Sequence, residues 1–254
     1  MRIGSRFLVL TVVLALAACA PETEASEAPT LSPEAASDPS PTPAVQDVME
    51  IEYFAPLEPA TYSIDPDVNP STPLRVVYEI PADGWSRWIG AAKFSDAGHV
   101  GVSITTVTNL VRHGCRDHSW ADPPVGSSVD DLAGALADLA PFRVTSRPED
   151  VSVYGYRGTH LELTVPMNLP IEGEGDDRRF TGCIDRNLKS WVAAIDTEPG
   201  DAFYGYTGPG YVEEFWILDV DGTRLMIASG RSPGSPSEDI EELRTILDSI
   251  RIEP

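Results

Sequence analysis

The strongest structural signal in the chain is an antiparallel hairpin within residues 214–229, EFWILDVDGTRLMIAS. Two apolar segments flank Asp221 and Gly222, and an Asp-Gly pair in that position is typical of a tight turn between paired strands. Asp219 and Asp221 also resemble the start of a calcium-binding loop, but the remaining ligand positions and the closing glutamate are missing. We therefore predict two antiparallel strands joined by a short turn.

Other strands are predicted on both sides of this hairpin. Alternating, β-branched segments are typical of strands, whereas stretches rich in Gly and Asp are typical of loops. The composition of residues 166–187 favours a loop. The segments with strand character are 74–80, 88–95, 99–111, 151–154, 158–165, 188–195 and 250–253.

Two helices are predicted between the strands, over residues 129–140 and 238–249, because apolar side chains recur there at helical spacing. Helices interspersed among strand hairpins predict an α+β fold in which the helices pack on a largely antiparallel sheet. The serines placed to cap the two helices are Ser127, Ser128, Ser235 and Ser237.

The first 18 residues have the pattern of a bacterial signal peptide. Arg2 and Arg6 supply positive charge, residues 7–16 form a short apolar run, and small residues precede Cys19. A cysteine at that position looks like the lipobox of bacterial lipoproteins, which implies cleavage before Cys19 and acylation of this residue. We therefore expect Cys19 to anchor the protein in the lipid bilayer, on the extracytoplasmic face of the cell membrane. The alternative is an ordinary signal peptide with an incidental cysteine.

Residues 19–50 are predicted to carry the lipid and to form a disordered tether. Between residues 20 and 50 there are six prolines and seven acidic residues but no basic residue. Such a segment buries too little apolar surface to offset its ordering entropy. Its Ser/Thr–Pro pairs leave glycosylation open as a further property. Residues 51–254 are numerous enough to form a single extracytoplasmic domain with a full core.

The chain is strongly acidic, and this excludes one class of partner. Its 254 residues include 40 acidic and 18 basic side chains, which give a formal net charge of −22 at pH 7. Proteins that bind nucleic acid place clusters of Lys and Arg against the phosphates, and the sequence has no such cluster. We therefore expect no nucleic-acid partner.

Residues 216–227 and 248–254 resemble the closing part of uncharacterised lipoproteins and surface proteins of high-GC Gram-positive (actinobacterial) bacteria, and residues 123–136 and 154–166 are similar to the same group. The closing hairpin, helix and strand also resemble the PsbP-like fold, an antiparallel sheet with helices on both sides. The resemblance to these lipoproteins and surface proteins covers residues 74–254. It implies a binding or assembly role, and it transfers no catalytic residue because its motifs fall on turns and packing positions.

Two cysteines besides the N-terminal one, Cys115 and Cys183, are predicted to form a disulfide, as a single pair in an oxidising compartment most simply does. A metal site is the alternative, since imidazole and thiolate bind Zn²⁺ or Cu²⁺. Its spacing matches no standard zinc pattern, and a disulfide would remove the thiolate. The residues of that alternative are His113, Cys115 and His118, with Asp117 or Asp122.

No catalytic residue is predicted. Residues 230–234, GRSPG, match the G-x-S-x-G pattern of serine hydrolases, but Pro233 lacks the backbone N–H that an oxyanion hole needs at that position. His99 and His160 lie within strand patterns and are predicted to be ordinary core or surface residues. The acidic stretch 172–177 leaves open a weak Ca²⁺ or Mg²⁺ site, with a solvated loop as the simpler interpretation.

Residues 203–211, FYGYTGPGY, form an aromatic stretch rich in Gly and Pro. Rigid rings supply contact area at a low entropy cost, so Tyr204, Tyr206 and Tyr211 are candidates for contact with a ligand or a partner protein. The alternative is that these rings fold back onto the core. The tryptophans predicted to lie in the core or at its rim are Trp85, Trp88 and Trp120.

These observations predict a non-enzymatic lipoprotein of the cell envelope. We expect it to bind a small apolar ligand or an envelope protein through a sheet face and the 203–211 stretch, without a cofactor. The alternative is an envelope hydrolase or metal-dependent enzyme whose site is built from residues that the sequence does not pair.

Overall fold

Strands are the main secondary structure of the folded chain. The computed structural model describes residues 45–69, 71–173, 178–194 and 203–253. The helices are α1 (Val129–Ala137) and α2 (Ser237–Ser249), with 3-10 turns at Val48–Glu50 and Ile184–Arg186. The strands are β1 (Gln46–Asp47), β2 (Pro56–Leu57), β3 (Ala60–Ile64), β4 (Arg75–Ile80), β5 (Trp85–Arg87), β6 (Gly90–Ser95), β7 (Gly98–His113), β8 (Asp117–Trp120), β9 (Arg143–Val153), β10 (Tyr156–Thr164), β11 (Ile171–Glu172), β12 (Arg179–Phe180), β13 (Lys189–Ala193), β14 (Phe203–Gly205), β15 (Val212–Val220), β16 (Thr223–Arg231) and β17 (Arg251–Glu253).

The described strands form one large sheet, one small sheet and a two-stranded ribbon. The large sheet has 11 strands, in the main order β2-β5-β6-β7-β16-β15-β10-β9, with β8, β13 and β14 attached through β7. The small sheet has the order β1-β3-β4-β17, and the ribbon pairs β11 with β12. Strand β1 runs parallel to β3, whereas the other described pairs are antiparallel.

The large sheet is covered by apolar side chains on both faces. On one face, the small sheet packs on it together with α2, which contributes Leu243 and Ile246. On the other face, α1 contributes Leu132 and Leu136, and the β13–β14 layer contributes Trp191. Strand β7 makes this second layer possible, because its first part pairs with β6 and β16 and its last part pairs with β13 and β8.

The architecture is a β-sandwich, so the predicted α+β class with helices packed on one sheet is wrong. Each of the two helices in the described ranges covers only part of a sheet face. The prediction missed several strands, above all the first part of β9, residues 143–150. That edge strand is exposed on both faces and contains Pro148, so neither alternation nor an apolar run marks it.

The predicted hairpin is confirmed, with β15 and β16 paired in register and joined at Asp221 and Gly222. Both turn residues have positive φ angles, 51° and 89°, and the side chain of Asp219 accepts a hydrogen bond from the backbone N–H of Gly222. Helix α1 is confirmed with a capping box formed by Ser128 and Asp131. The predicted serine cap of α2 is wrong, because Pro236 occupies that position without a side-chain cap.

Residues 46–50, which the sequence assigned to the tether, belong to the described fold. Strand β1 pairs with β3, and Val48 is fully buried. The predicted signal peptide and Cys19 lie outside the described residues. Within the described ranges, neither helix is long and apolar enough to cross a membrane.

Candidate functional site

An aromatic cleft opens on the face of the large sheet that also carries α1 and the β13–β14 layer. Its volume is about 520 Å³, within the range typical of small-molecule sites. We use the name aromatic cleft for the space lined by Phe54, Trp88, Ala92, Phe94, His99, Gly101, Ser103, Tyr204, Gly205, Thr207 and Tyr211.

The floor of the aromatic cleft is made of small residues on β6 and β7. Ala92 and Gly101 are directly opposed across these two strands. A β-carbon at Gly101 would lie 3.3 Å from the Cβ of Ala92, so a larger residue at either position would fill the space. The next opposed pair on this face is Phe94 and His99, whose rings lie 5.5 Å apart and border the floor. The cleft therefore owes its depth to two small residues between larger rings.

One wall comes from an aromatic cluster near the start of the fold. The ring of Phe54 lies 5.3 Å from that of Trp88 and 6.2 Å from that of Phe94. Tyr53 supports this wall, because its ring lies 5.0 Å from that of Trp88. The guanidinium of Arg87 lies over the Tyr53 ring, 4.6 Å from its centroid. Cation–π contact and ring packing thus hold the wall in place.

Phe54 combines two unfavourable properties. Its side chain is 56% exposed, and its backbone φ angle of 64° lies in the left-handed region, which bulky residues rarely adopt. The backbone N–H of Phe54 donates to the carbonyl of Arg87, which fixes this conformation. Exposure and strain together single out Phe54 as a residue that folding alone does not explain.

The opposite wall contains Tyr204 and Tyr211, two of the three predicted binding residues. Tyr204 stacks on the buried ring of Trp191, with centroids 4.5 Å apart and planes 13° from parallel. Its hydroxyl lies 3.0 Å from that of Tyr211, whose ring packs 5.1 Å from His99. Both tyrosines therefore pack on the core and still border the cleft, so the two sequence interpretations are not exclusive. Their binding role stays a prediction.

Tyr206, the third predicted residue, lies behind this wall and does not line the cleft. Its hydroxyl is hydrogen-bonded to the carboxyl group of Glu213 and lies 2.9 Å from the hydroxyl of Ser190. Glu213 is 1% exposed, and burial raises its pKa to about 8. Burial and the nearby Glu213 raise the pKa of Tyr206 well above its usual range. The wall thus conceals an acidic group that the sequence did not identify.

The G-x-S-x-G pattern has a packing explanation. Ser232 Oγ lies 2.9 Å from His99 Nδ1, while the backbone N–H of Ser232 donates to the carbonyl of His99. Gly230 makes room for Tyr211, and Gly234 adopts a φ angle of 85° in the following turn. The serine–histidine contact therefore fastens the end of β16 to β7. Pro233 cannot supply an oxyanion donor.

His99 and His160, both predicted to be ordinary residues, differ in position. His99 lines the aromatic cleft between the rings of Phe94 and Tyr211. His160 lies on the other face of the sheet, with its ring nitrogens 3.6 Å from Glu149 and 3.8 Å from Glu214. His99 is thus a site residue that its strand pattern concealed.

The predicted disulfide between Cys115 and Cys183 is present, so the thiolate of the alternative metal site is consumed. His113 Nδ1 accepts hydrogen bonds from the backbone N–H groups of Cys115 and Arg116, and His118 Nε2 donates to the carbonyl of Gly114. Among the described residues, no group of three His, Cys, Asp or Glu side chains is placed to hold a metal. Residues 174–177 of the acidic stretch lie outside the described ranges.

The sequence missed the aromatic wall formed by Phe54, Trp88 and Phe94. Trp88 was assigned to the core or its rim, and the two phenylalanines carried no signal of their own. Their proximity depends on the pairing of β6 with β7 and on the position of the segment before β2. No short-range pattern encodes these contacts.

No protein-family model matches the chain, and neither a curated protein nor a solved structure does.

Proposed function

We propose that the protein is a non-enzymatic lipoprotein of the cell envelope whose aromatic cleft binds a small, uncharged, apolar molecule. In this proposal, acylated Cys19 holds the domain at the extracytoplasmic face of the cell membrane. The observation that carries the proposal is a floor of small residues surrounded by aromatic rings, two of which remain about half exposed.

The exposed rings argue for a ligand on energetic grounds. Phe54 is 56% exposed and Phe94 is 48% exposed. Full burial of a phenylalanine side chain contributes about 2 kcal/mol, so these rings leave part of that stabilisation unused in the free protein. A ligand that covers them would recover it. The positive φ angle of Phe54 adds a free-energy cost of backbone strain to the cost of leaving this ring exposed.

The lining also indicates the chemical class of the ligand. None of the described residues that line the cleft is Lys, Arg, Asp or Glu. The polar side chains there are the ring of His99 and the hydroxyls of Ser103, Thr207, Tyr204 and Tyr211. A charged ligand would lose its hydration without gaining an ion pair, whereas a ring or short hydrocarbon chain gains apolar contact. One polar group at its edge would suffice for hydrogen bonding.

A fluorescence titration tests the proposal. N-phenyl-1-naphthylamine is an uncharged two-ring probe whose emission rises in apolar surroundings, and we expect saturable binding of one molecule per purified protein. The double variant Phe54→Ala/Phe94→Ala should weaken binding by at least about tenfold, because it removes two of the contacting rings.

Trp120→Ala is the matched control, since Trp120 is 47% exposed but does not line the cleft. We expect this variant to bind the probe like the original protein. Absence of saturable binding, or equal weakening by the control, would contradict the proposed function and would favour a protein partner on this surface.

A further inference from the structure

We infer that a single proton on Glu213 controls the aromatic cleft, so that the cleft binds its ligand while Glu213 is neutral and loses affinity when Glu213 ionises. This inference rests on the proposed function, because it concerns regulation of the same site. Three structural features carry it: the isolation of Glu213 from basic groups, the hydrogen bonds around its carboxyl group, and the contacts that link it to the cleft wall.

Glu213 is buried without a basic partner. It lies on β15, where it is opposed by Leu163 on β10 and Gly230 on β16, neither of which carries charge. No ion pair of Glu213 occurs among the described residues. A buried carboxylate without a counter-charge is strongly disfavoured, so the neutral acid is the stable form at this position.

The titratable groups near Glu213 are tyrosines. Tyr206 reaches it directly, and Tyr204 on β14 and Tyr211 beside β15 act on it through space. Arg231 on β16 influences Tyr211, but its guanidinium pairs with Glu162 and Glu214. His99 contacts the outer side of Tyr211. The carboxyl group therefore lies among tyrosine hydroxyls that themselves resist ionisation and beside the indole of Trp191.

The hydrogen bonds of Tyr206 depend on the proton of Glu213. The Tyr206 hydroxyl lies against the Glu213 carboxyl group and also 2.9 Å from Ser190 Oγ. A neutral carboxyl group can donate to Tyr206, which then donates to Ser190, so that both contacts are satisfied. An ionised carboxylate can only accept, so Tyr206 must turn its one proton towards it, and the hydroxyl of Ser190 must then donate to Tyr206 instead of accepting from it. The raised pKa of Glu213, about 8, agrees with a preference for the neutral form.

The ring of Tyr206 packs against the two tyrosines that form this wall of the cleft. This ring meets that of Tyr204 at 5.2 Å and that of Tyr211 at 5.5 Å, both nearly edge to face. The hydroxyls of Tyr204 and Tyr211 are joined to each other at 3.0 Å, and both rings border the cleft. Hydration of an ionised Glu213 requires Tyr206 to move, and the two wall rings must then move with it.

The pH dependence of probe binding tests the inference. N-phenyl-1-naphthylamine stays uncharged between about pH 6 and about pH 9, so a change in its affinity over this range reports the protein. We expect the dissociation constant of the original protein to be constant at the acidic end and to rise by up to about tenfold per pH unit above the midpoint of the Glu213 titration. A constant affinity across the range would overturn the inference.

Two variants assign the effect to Glu213. Glu213→Gln keeps a neutral group of the same shape, so it should bind the probe with an affinity that does not change with pH. Glu214→Gln is the matched control, because Glu214 is the next residue on β15 but pairs with Arg231 on the other face of the sheet. The control should keep the original pH profile. Loss of the profile in the control, or its persistence in Glu213→Gln, would contradict the inference.

A second measurement requires neither probe nor variant. In NMR spectra recorded over the same pH range, the carboxyl carbon of Glu213 and the ring signals of Tyr204 and Tyr211 should shift with one common midpoint. Stationary rings during the titration of Glu213 would overturn the inference. If the signals of Glu213, Tyr204 and Tyr211 shift together but the protein binds no probe, the coupling between Glu213 and the wall rings is supported. The proposed function is then rejected.

Discussion

The phenol oxygen of Tyr211 occupies the space that a side chain at Gly230 would need. Tyr211 immediately precedes β15, and Gly230 lies near the end of β16, directly across from Glu213. The contact therefore places a wall ring of the aromatic cleft against the bare backbone of the neighbouring strand. It also explains the first glycine of the G-x-S-x-G pattern by packing, without any role in catalysis.

Replacement of Gly230 by alanine should displace this wall. The added methyl group overlaps the Tyr211 ring, so we expect Gly230→Ala to lower the free energy of unfolding by about 2 kcal/mol, as overpacking of a core does. Probe binding should weaken in the folded variant as well. Gly134→Ala is the matched control: an added Cβ meets nothing within 4 Å in α1, and it should stabilise the protein by about 0.5 to 1 kcal/mol. Denaturant unfolding measures the free energy of unfolding of both variants. Equal changes in Gly230→Ala and Gly134→Ala would contradict the overlap with Tyr211.

The strain at Phe54 can be isolated with two substitutions that both remove its ring. Glycine adopts the observed φ angle of 64° without a steric penalty, whereas alanine does not. We therefore expect Phe54→Gly to be more stable than Phe54→Ala by about 1 kcal/mol in denaturant unfolding. Both variants should weaken probe binding to a similar extent. A less stable glycine variant would show that the positive φ angle carries no strain.

The disulfide between Cys115 and Cys183 should contribute strongly to stability. The two residues are 68 positions apart, and closure of such a loop stabilises a protein by about 4 kcal/mol in the chain-entropy account. The double variant Cys115→Ser/Cys183→Ser should show this loss in denaturant unfolding. A metal chelator, in contrast, should leave the unfolding of the original protein unchanged. A decrease in the free energy of unfolding on addition of the chelator would support the alternative of a metal site.

Short-range sequence patterns were sufficient to predict the elements whose turn, cap and apolar spacing are formed by residues close together in the chain. The β15–β16 hairpin followed from its apolar segments and the turn at Asp221 and Gly222, and α1 followed from its cap and its apolar spacing. The fold class was wrong because the small sheet and the edge strand β9 depend on tertiary partners. Residues 143–150 of β9 are mostly polar and are exposed on both faces, and their pairing with β10 compensates for a weak strand pattern.

The cleft was predictable in part for the same reason. Tyr204 and Tyr211 stand in one aromatic stretch, so the sequence could single them out together. Phe54 and Phe94 are far from that stretch in the chain, and only the sheet brings them opposite to it. Glu213 was not identified because it stands in an apolar strand next to a second glutamate, Glu214. The two side chains point to opposite faces of the sheet. A period of two residues predicts opposite faces, but it does not reveal which glutamate is buried.

The buried carboxyl group of Glu213 also predicts how stability depends on pH. Its pKa rises from the usual 4.5 to about 8 in the folded state because burial disfavours the charged form. Between these two values the unfolded chain releases the proton and the folded protein retains it. Stability must therefore decrease as the pH rises from about 4.5 to about 8, with a slope of up to about 1.4 kcal/mol per pH unit from this group, and it levels off above that range. We expect the difference in unfolding free energy between Glu213→Gln and the original protein to grow across this interval, while Glu214→Gln shows no such growth. Denaturant unfolding at a series of pH values measures it, and a difference that is constant with pH would mean that Glu213 is already ionised in the folded protein.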